Sequence, residues 1–175
     1  MSTTRLPGST VATLTVTTPS DREVRITRLF DAPCAIVFDC WTVPELLKGW
    51  LHGPEGWRLE TCKIDLRVGG AARYVWRHRE GQVMGMSATY REIVRPSLIA
   101  ATELFDEDWT GGETLGTVTF TETSGKTLLT QTIRYASHAA REAALATGMT
   151  SGMADSYAQL DTYLASSRDA SRGAA

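Results

Sequence analysis

Residues 139–167 carry the pattern that most constrains this chain. Met149, Met153, Tyr157, Leu160 and Leu164 recur at i+4, i+4, i+3 and i+4, which places them on one face of an α-helix. Asp155, Gln159 and Asp161 fall away from that stripe. Helices in proteins owe most of their stability to packing such a face against something else. The chain must therefore supply a sheet for it to lie on. Gly148 and Gly152 sit one turn apart here, each costing about 1 kcal/mol relative to Ala in a helix interior. Either they let the backbone pack close to the sheet, or this end of the helix kinks and leaves a cavity. Met in the stripe suits the second reading, being a flexible gap-filler. After Ser167 the residues are small and polar, and 168–175 read as a disordered tail.

The middle of the chain supplies the sheet. Strand-like runs occupy 57–65, 71–79, 83–94, 98–105, 113–122 and 126–136, joined by turn-rich links such as Gly69-Gly70, Arg95-Pro96-Ser97 and Ser124-Gly125. Links this short pair neighbouring strands antiparallel. Upstream, 10–18 and 23–30 read as a hairpin. In its second arm Val24, Ile26 and Arg28 share one face and Arg25, Thr27 and Leu29 the other.

Two short helices separate this hairpin from the main run of strands. Asp31-Ala32-Pro33 opens the first, with Pro where its missing N–H costs nothing, and Ile36, Val37, Cys40 and Trp41 as its buried stripe. Thr42 and Glu45 have capping-box spacing, so Thr42 is the expected N-cap of the second, which runs through Leu46, Leu47 and Trp50. Residues 1–9 read as a disordered lead. No repeat or shift of composition divides 10–167, which are expected to form a single domain. The predicted class is α+β, a helix-grip fold: a curved antiparallel sheet wrapped around a long C-terminal helix, with two short helices after the first strand.

A net charge of −2, with basic residues scattered along the strands, argues against a nucleic-acid partner. No apolar run reaches the roughly 18 residues that span a bilayer, so no membrane insertion is expected. Residues 1–16 lack the basic-then-apolar pattern of a signal peptide. Cys34, Cys40 and Cys62 are odd in number and have no CxxC spacing. They suggest neither a disulfide framework nor zinc, and a reduced cytoplasmic compartment is the expectation. His52, His78 and His138 are far apart, so no metal is expected either. There is no GxGxxG, P-loop, HExxH or Gly-x-Ser-x-Gly elbow, and no cofactor is implied.

Aromatic and sulfur residues are the better clue. Trp50, Trp57, Tyr74, Trp76, Met84, Met86, Tyr90 and Trp109 lie on strands or loops that should surround the helix carrying Met149, Met153 and Tyr157. Trp and Met are irregular fillers compared with Leu, Ile and Val, so the set points to an apolar small-molecule pocket rather than a plain core. Glu103 is the one catalytic candidate, sharing a strand face with Ala101 and Phe105. On the concave side it would be buried with a raised pKa, or paired with an arginine, Arg73 and Arg77 being the candidates. On the convex side it would be an ordinary solvent residue. Asp106-Glu107-Asp108 read as a solvated loop, and Asp65 and Arg67 as an exposed pair worth little.

Arg28-Leu29-Phe30-Asp31-Ala32-Pro33, followed by Val37-Phe38, Trp41-Thr42, Pro44-Glu45 and Trp50, resembles the opening signature of the START-like (SRPBCC) superfamily. More narrowly it resembles the branch named for the C-terminal domain of the activator of Hsp90 ATPase. Asp65-Leu66-Arg67-Val68-Gly69-Gly70, Tyr90-Arg91-Glu92-Ile93, Thr102-Glu103 and Gly148-Met149 with Gly152-Met153 extend the match to roughly residues 13–167. The resemblance implies a helix-grip fold whose internal cavity takes lipids, polyketides, hormones or other hydrophobic molecules. Some branches of the superfamily are aromatases or cyclases. The co-chaperone role of the eukaryotic namesake depends on a separate N-terminal domain, for which this chain leaves no room.

The expected function is binding of a small hydrophobic or aromatic molecule. One alternative is a cyclase- or aromatase-like enzyme, with Glu103, Tyr74, Tyr90 and His78 as its supply of proton-transfer groups. The other is a protein-interaction domain, as a homodimer or with another partner, which an apolar patch around the two short helices would support.

Overall fold

Alternation decides the sheet. From residue 23 to residue 30, Val24, Ile26, Arg28 and Phe30 are buried while Arg25 and Leu29 are exposed, the pattern of a strand covered on one face. The structure, a computed structural model, describes residues 13–174. The expected disordered lead and the start of the strand expected over 10–18 lie outside the described residues.

The described residues form eight strands: β1 (Thr15–Thr17), β2 (Glu23–Phe30), β3 (Trp57–Ile64), β4 (Ala71–His78), β5 (Val83–Val94), β6 (Leu98–Phe105), β7 (Thr114–Thr123) and β8 (Lys126–Arg134). They form one antiparallel sheet in the order β1-β2-β8-β7-β6-β5-β4-β3. From β3 to β8 it is a meander, and β2 then closes onto β8. Two helices, α1 (Cys34–Thr42) and α2 (Pro44–Leu47), carry the chain from β2 to the opposite edge at β3.

α1 turns Cys34, Val37 and Phe38 into the core, and Ile36, expected in the buried stripe, is 47% exposed. The apolar face is counted from Cys34 at i, i+3, i+4, not from Ile36. Thr42 is not an N-cap. It ends α1, and its Oγ donates to the Phe38 carbonyl at 2.9 Å. Pro44 explains the shift, because a residue before proline is pushed out of the helical region, and Val43 sits at φ −98°, ψ 118°. α2 is accordingly a single turn without a side-chain cap. Trp50 follows it, fully buried, with Nε1 donating to the Cys40 carbonyl at 2.9 Å.

The expected single C-terminal helix is two. α3 (His138–Ala146) is capped by Ser137, whose Oγ accepts from the Ala140 N–H at 3.0 Å. α4 (Met149–Gly173) starts after Gly148, which adopts φ 79°, a left-handed conformation that breaks the helix and that glycine takes at little cost. α4 buries Tyr157, Leu160 and Leu164 as its stripe requires. It also continues to Gly173, so residues 168–173 are helical rather than part of a shapeless tail, and Arg168 reaches Asp31 at 3.0 Å.

Asp161 does not fall away either. It pairs with Arg28, which projects from the covered face of β2 and is 6% exposed. Burial raises the Asp161 carboxyl above its usual range, with Arg28 pulling the other way. No helix among the described residues is long and apolar enough to cross a membrane.

Candidate functional site

The concave face of the sheet and the N-terminal half of α4 do not meet. They enclose a cavity of about 520 Å³. Period-two alternation brings Tyr74 and Trp76 of β4, Met84, Met86 and Tyr90 of β5, and Glu103 of β6 to its wall, and Met149, Met153 and Tyr157 of α4 cover it. Trp41 and Trp50 close one end, ring centroids 5.4 Å apart. Tyr74 and Trp76 stack at 5.9 Å, and Trp76 Nε1 donates to the Leu51 carbonyl at 3.0 Å, which fixes the indole. The wall residues that remain exposed, Pro54, Trp109, Thr147, Gly148, Ser151 and Asp155, mark the mouth.

Trp57 is the exception among the expected pocket residues. It stands outside the lining and packs on His78, centroids 5.3 Å apart. Its strand, β3, is the edge of the sheet.

Glu103 faces the cavity. Gly116 on the neighbouring strand makes room for it: a Cβ there would lie 3.2 Å from the Glu103 Oε1. The carboxyl touches the cavity but protein surrounds it, and burial pushes it up to about 7. The expected arginine partners are elsewhere. Arg73 holds Asp106 through both terminal nitrogens at 2.6 Å, and Arg77 holds Glu60 at 3.0 Å, all on the opposite face. Glu103 has no hydrogen-bond donor or cation against it among the described residues. The Asp106 loop and the Asp65–Arg67 pair, 2.8 Å apart, are exposed as expected.

Four phenols border the site, and burial raises the pKa of each. Tyr135 is pushed up to about 12, first by burial and then by Glu103. Its hydroxyl donates to Met149 Sδ at 3.1 Å, tying the start of α4 to the sheet. Tyr157 donates to Gln131 Oε1. The sequence reading missed Gln131 and Tyr135 as wall residues. They share the buried face of β8 and its extension with Leu129 and Ile133, so reading period two from Leu129 along the expected strand would have found both.

The fold that builds this site, a curved antiparallel sheet with a long C-terminal helix, is shared with known proteins. The sequence model of the Activator of Hsp90 ATPase homolog 1-like protein family matches residues 31–165. The chain belongs to this family. A protein from Rhodobacter sphaeroides with a solved structure is 31% identical, with a TM-score of 0.83 over 88% of this chain and 99% of that one. Protein Ms6760 from Mycobacterium smegmatis is 24% identical, with a TM-score of 0.77 over 87% of this chain and 97% of that one. A third, from Aeromonas hydrophila, carries the same family description at 16% identity, a TM-score of 0.61, and coverage of 79% and 92%. The latter two speak to the fold alone. A comparison with curated proteins gives no match.

For an Activator of Hsp90 ATPase homolog 1-like chain, two further features bear on chemistry. Among the described residues no cluster of His, Cys, Asp and Glu has metal-binding geometry. The two short helices expose one large apolar side chain among the described residues, Ile36, which is less than the patch that a docking surface would need.

Proposed function

We propose that this protein binds a small hydrophobic or aromatic molecule in the cavity between the sheet and α4. The observation that carries the reading is the cavity itself, about 520 Å³ walled by Trp, Tyr and Met side chains. Small-molecule sites run to roughly 300–1,000 Å³ and combine apolar walls with few polar groups. A protein with no use for the space gains by filling it, since a void forfeits dispersion contacts. The START-like fold often takes hydrophobic ligands, which supports the same reading.

Native mass spectrometry of gently purified protein tests it, together with titration by the neutral fluorescent probe phenylnaphthylamine. The expected result is saturable probe uptake, or a discrete added mass that is lost on denaturation. A chain that neither retains a small molecule nor takes up the probe would overturn the reading. One observation favours a second reading, an acid–base enzyme working in the same cavity: a buried carboxyl near neutral pKa is suited to proton transfer. In that case Glu103→Gln binds the ligand but loses turnover.

A further inference from the structure

We propose that the ligand is a lipophilic amine, an apolar body carrying one protonated nitrogen that docks on Glu103 among the aromatic rings of the wall. The inference rests on the small-molecule reading above and names the chemistry that the cavity selects.

Charge is the first argument. The lining includes two carboxylates, Glu103 inside and Asp155 at the mouth, and among the described residues no Lys, Arg or His. The nearby arginines are spent elsewhere: Arg73 on Asp106, Arg77 on Glu60 and Arg28 on Asp161. A fatty acid or other carboxylate would enter an apolar space, find no cation, and meet a like charge wherever Glu103 is ionised. Burying an unpaired charge is among the least favourable steps available to a ligand.

The second argument is the state of Glu103. It projects over the bare backbone of Gly116 with neither a donor nor a cation against it. Glu103 is half-buried and opens onto the cavity, so a donor brought by the ligand meets an acceptor that no protein group already occupies. The phenols do not fill this need. Tyr135 donates to Met149 and Tyr157 to Gln131. Because burial holds the carboxyl at about 7, it ionises at little cost when an ammonium arrives.

Aromatic faces are the third. Tyr74, Trp76, Tyr90 and Tyr135 share the wall with Glu103. Ring faces carry negative potential and attract a cation within about 6 Å, more strongly once it is desolvated. An acid surrounded by rings is the arrangement that recognises an organic ammonium.

The test uses the full chain and three ligands of one shape: naphthylmethylamine, naphthylmethanol and naphthoate, titrated by calorimetry near neutral pH. The amine is expected to bind about tenfold tighter than the alcohol, a difference of about 1.4 kcal/mol, with naphthoate weakest. Glu103→Gln is expected to bring the amine down to the level of the alcohol. The wild-type chain supplies a second readout. Amine binding releases protons from Glu103 and alcohol binding does not, which titration in buffers of different ionisation enthalpy resolves. Equal affinity for amine and naphthoate, or amine affinity unmoved in Glu103→Gln, would overturn the ammonium inference and leave the apolar pocket standing. Failure of all three to bind would overturn the pocket reading and the inference with it.

Discussion

At Glu103 a single proton links the cavity to the stability of the fold. Burial pushes the carboxyl up to about 7 in the folded state, and unfolding returns it to the ordinary value of 4.5. Between those values the folded chain holds a proton that the unfolded chain has released, so stability falls as pH rises. The contribution is whole below about 4.5 and is lost as pH passes through about 7, a change on the order of 3 kcal/mol. Glu103→Gln should therefore flatten this part of the profile and make the variant the more stable form at pH 8. Urea denaturation of both proteins from pH 5 to pH 8 checks it, and parallel profiles would show that the carboxyl reaches bulk water. The face that Glu103 occupies was not legible in the sequence, because period two says which residues share a face but not which face is covered. Tyr74 and Trp76 on the cavity wall oblige Arg73 and Arg77, at odd positions of the same strand, to point the other way, so those arginines were never available to Glu103.

Among the elements, the two glycines near the start of α4 look alike in sequence and do different things. Gly148 has φ 79° and ends α3, while Gly152 lies inside α4 with Pro54 Cγ 3.8 Å from where a Cβ would be. No neighbour obstructs a Cβ at Gly148, so strain alone decides there. Gly148→Ala should cost about 1 kcal/mol, because the left-handed region is unfavourable for a residue with a Cβ. Gly152→Ala should gain about 0.5 kcal/mol from helix propensity, since ordinary van der Waals contact with Pro54 carries no penalty. Thermal unfolding of the two variants separates them, and shifts of the same sign would contradict this division. The strands from β3 to β8 were legible nearly to the residue because Gly- and Pro-rich turns punctuate them. Helix ends were less so. Thr42 has the chemistry of a cap, yet Pro44 sets the boundary one residue later, and Thr42 turns back to bond α1 instead. The helix beyond Ser167 has no apolar stripe to announce it.

For the molecule as a whole, grip and cavity divide the length of α4. Beyond Tyr157 the helix is fastened, with Leu160 and Leu164 buried and Asp161 on Arg28. Before it, Met149 and Met153 are only partly buried and roof the open space. Retaining that space forgoes packing that a sequence under selection for stability alone would recover, and stability given up at a site of function is the common pattern. The trade can be measured at Ala101, a small wall residue paired across the sheet with Gly116. Both positions keep the sheet surface low beneath the cavity. Ala101→Leu adds apolar groups to space already present, and at about 0.8 kcal/mol per buried CH₂ it should gain on the order of 1–2 kcal/mol after some strain. The same substitution should abolish or sharply weaken uptake of phenylnaphthylamine. Higher stability with lost uptake is the signature of a cavity held open for a ligand. Loss of stability would show that the wall has no room to give, and unchanged uptake would place the probe somewhere other than between the sheet and α4.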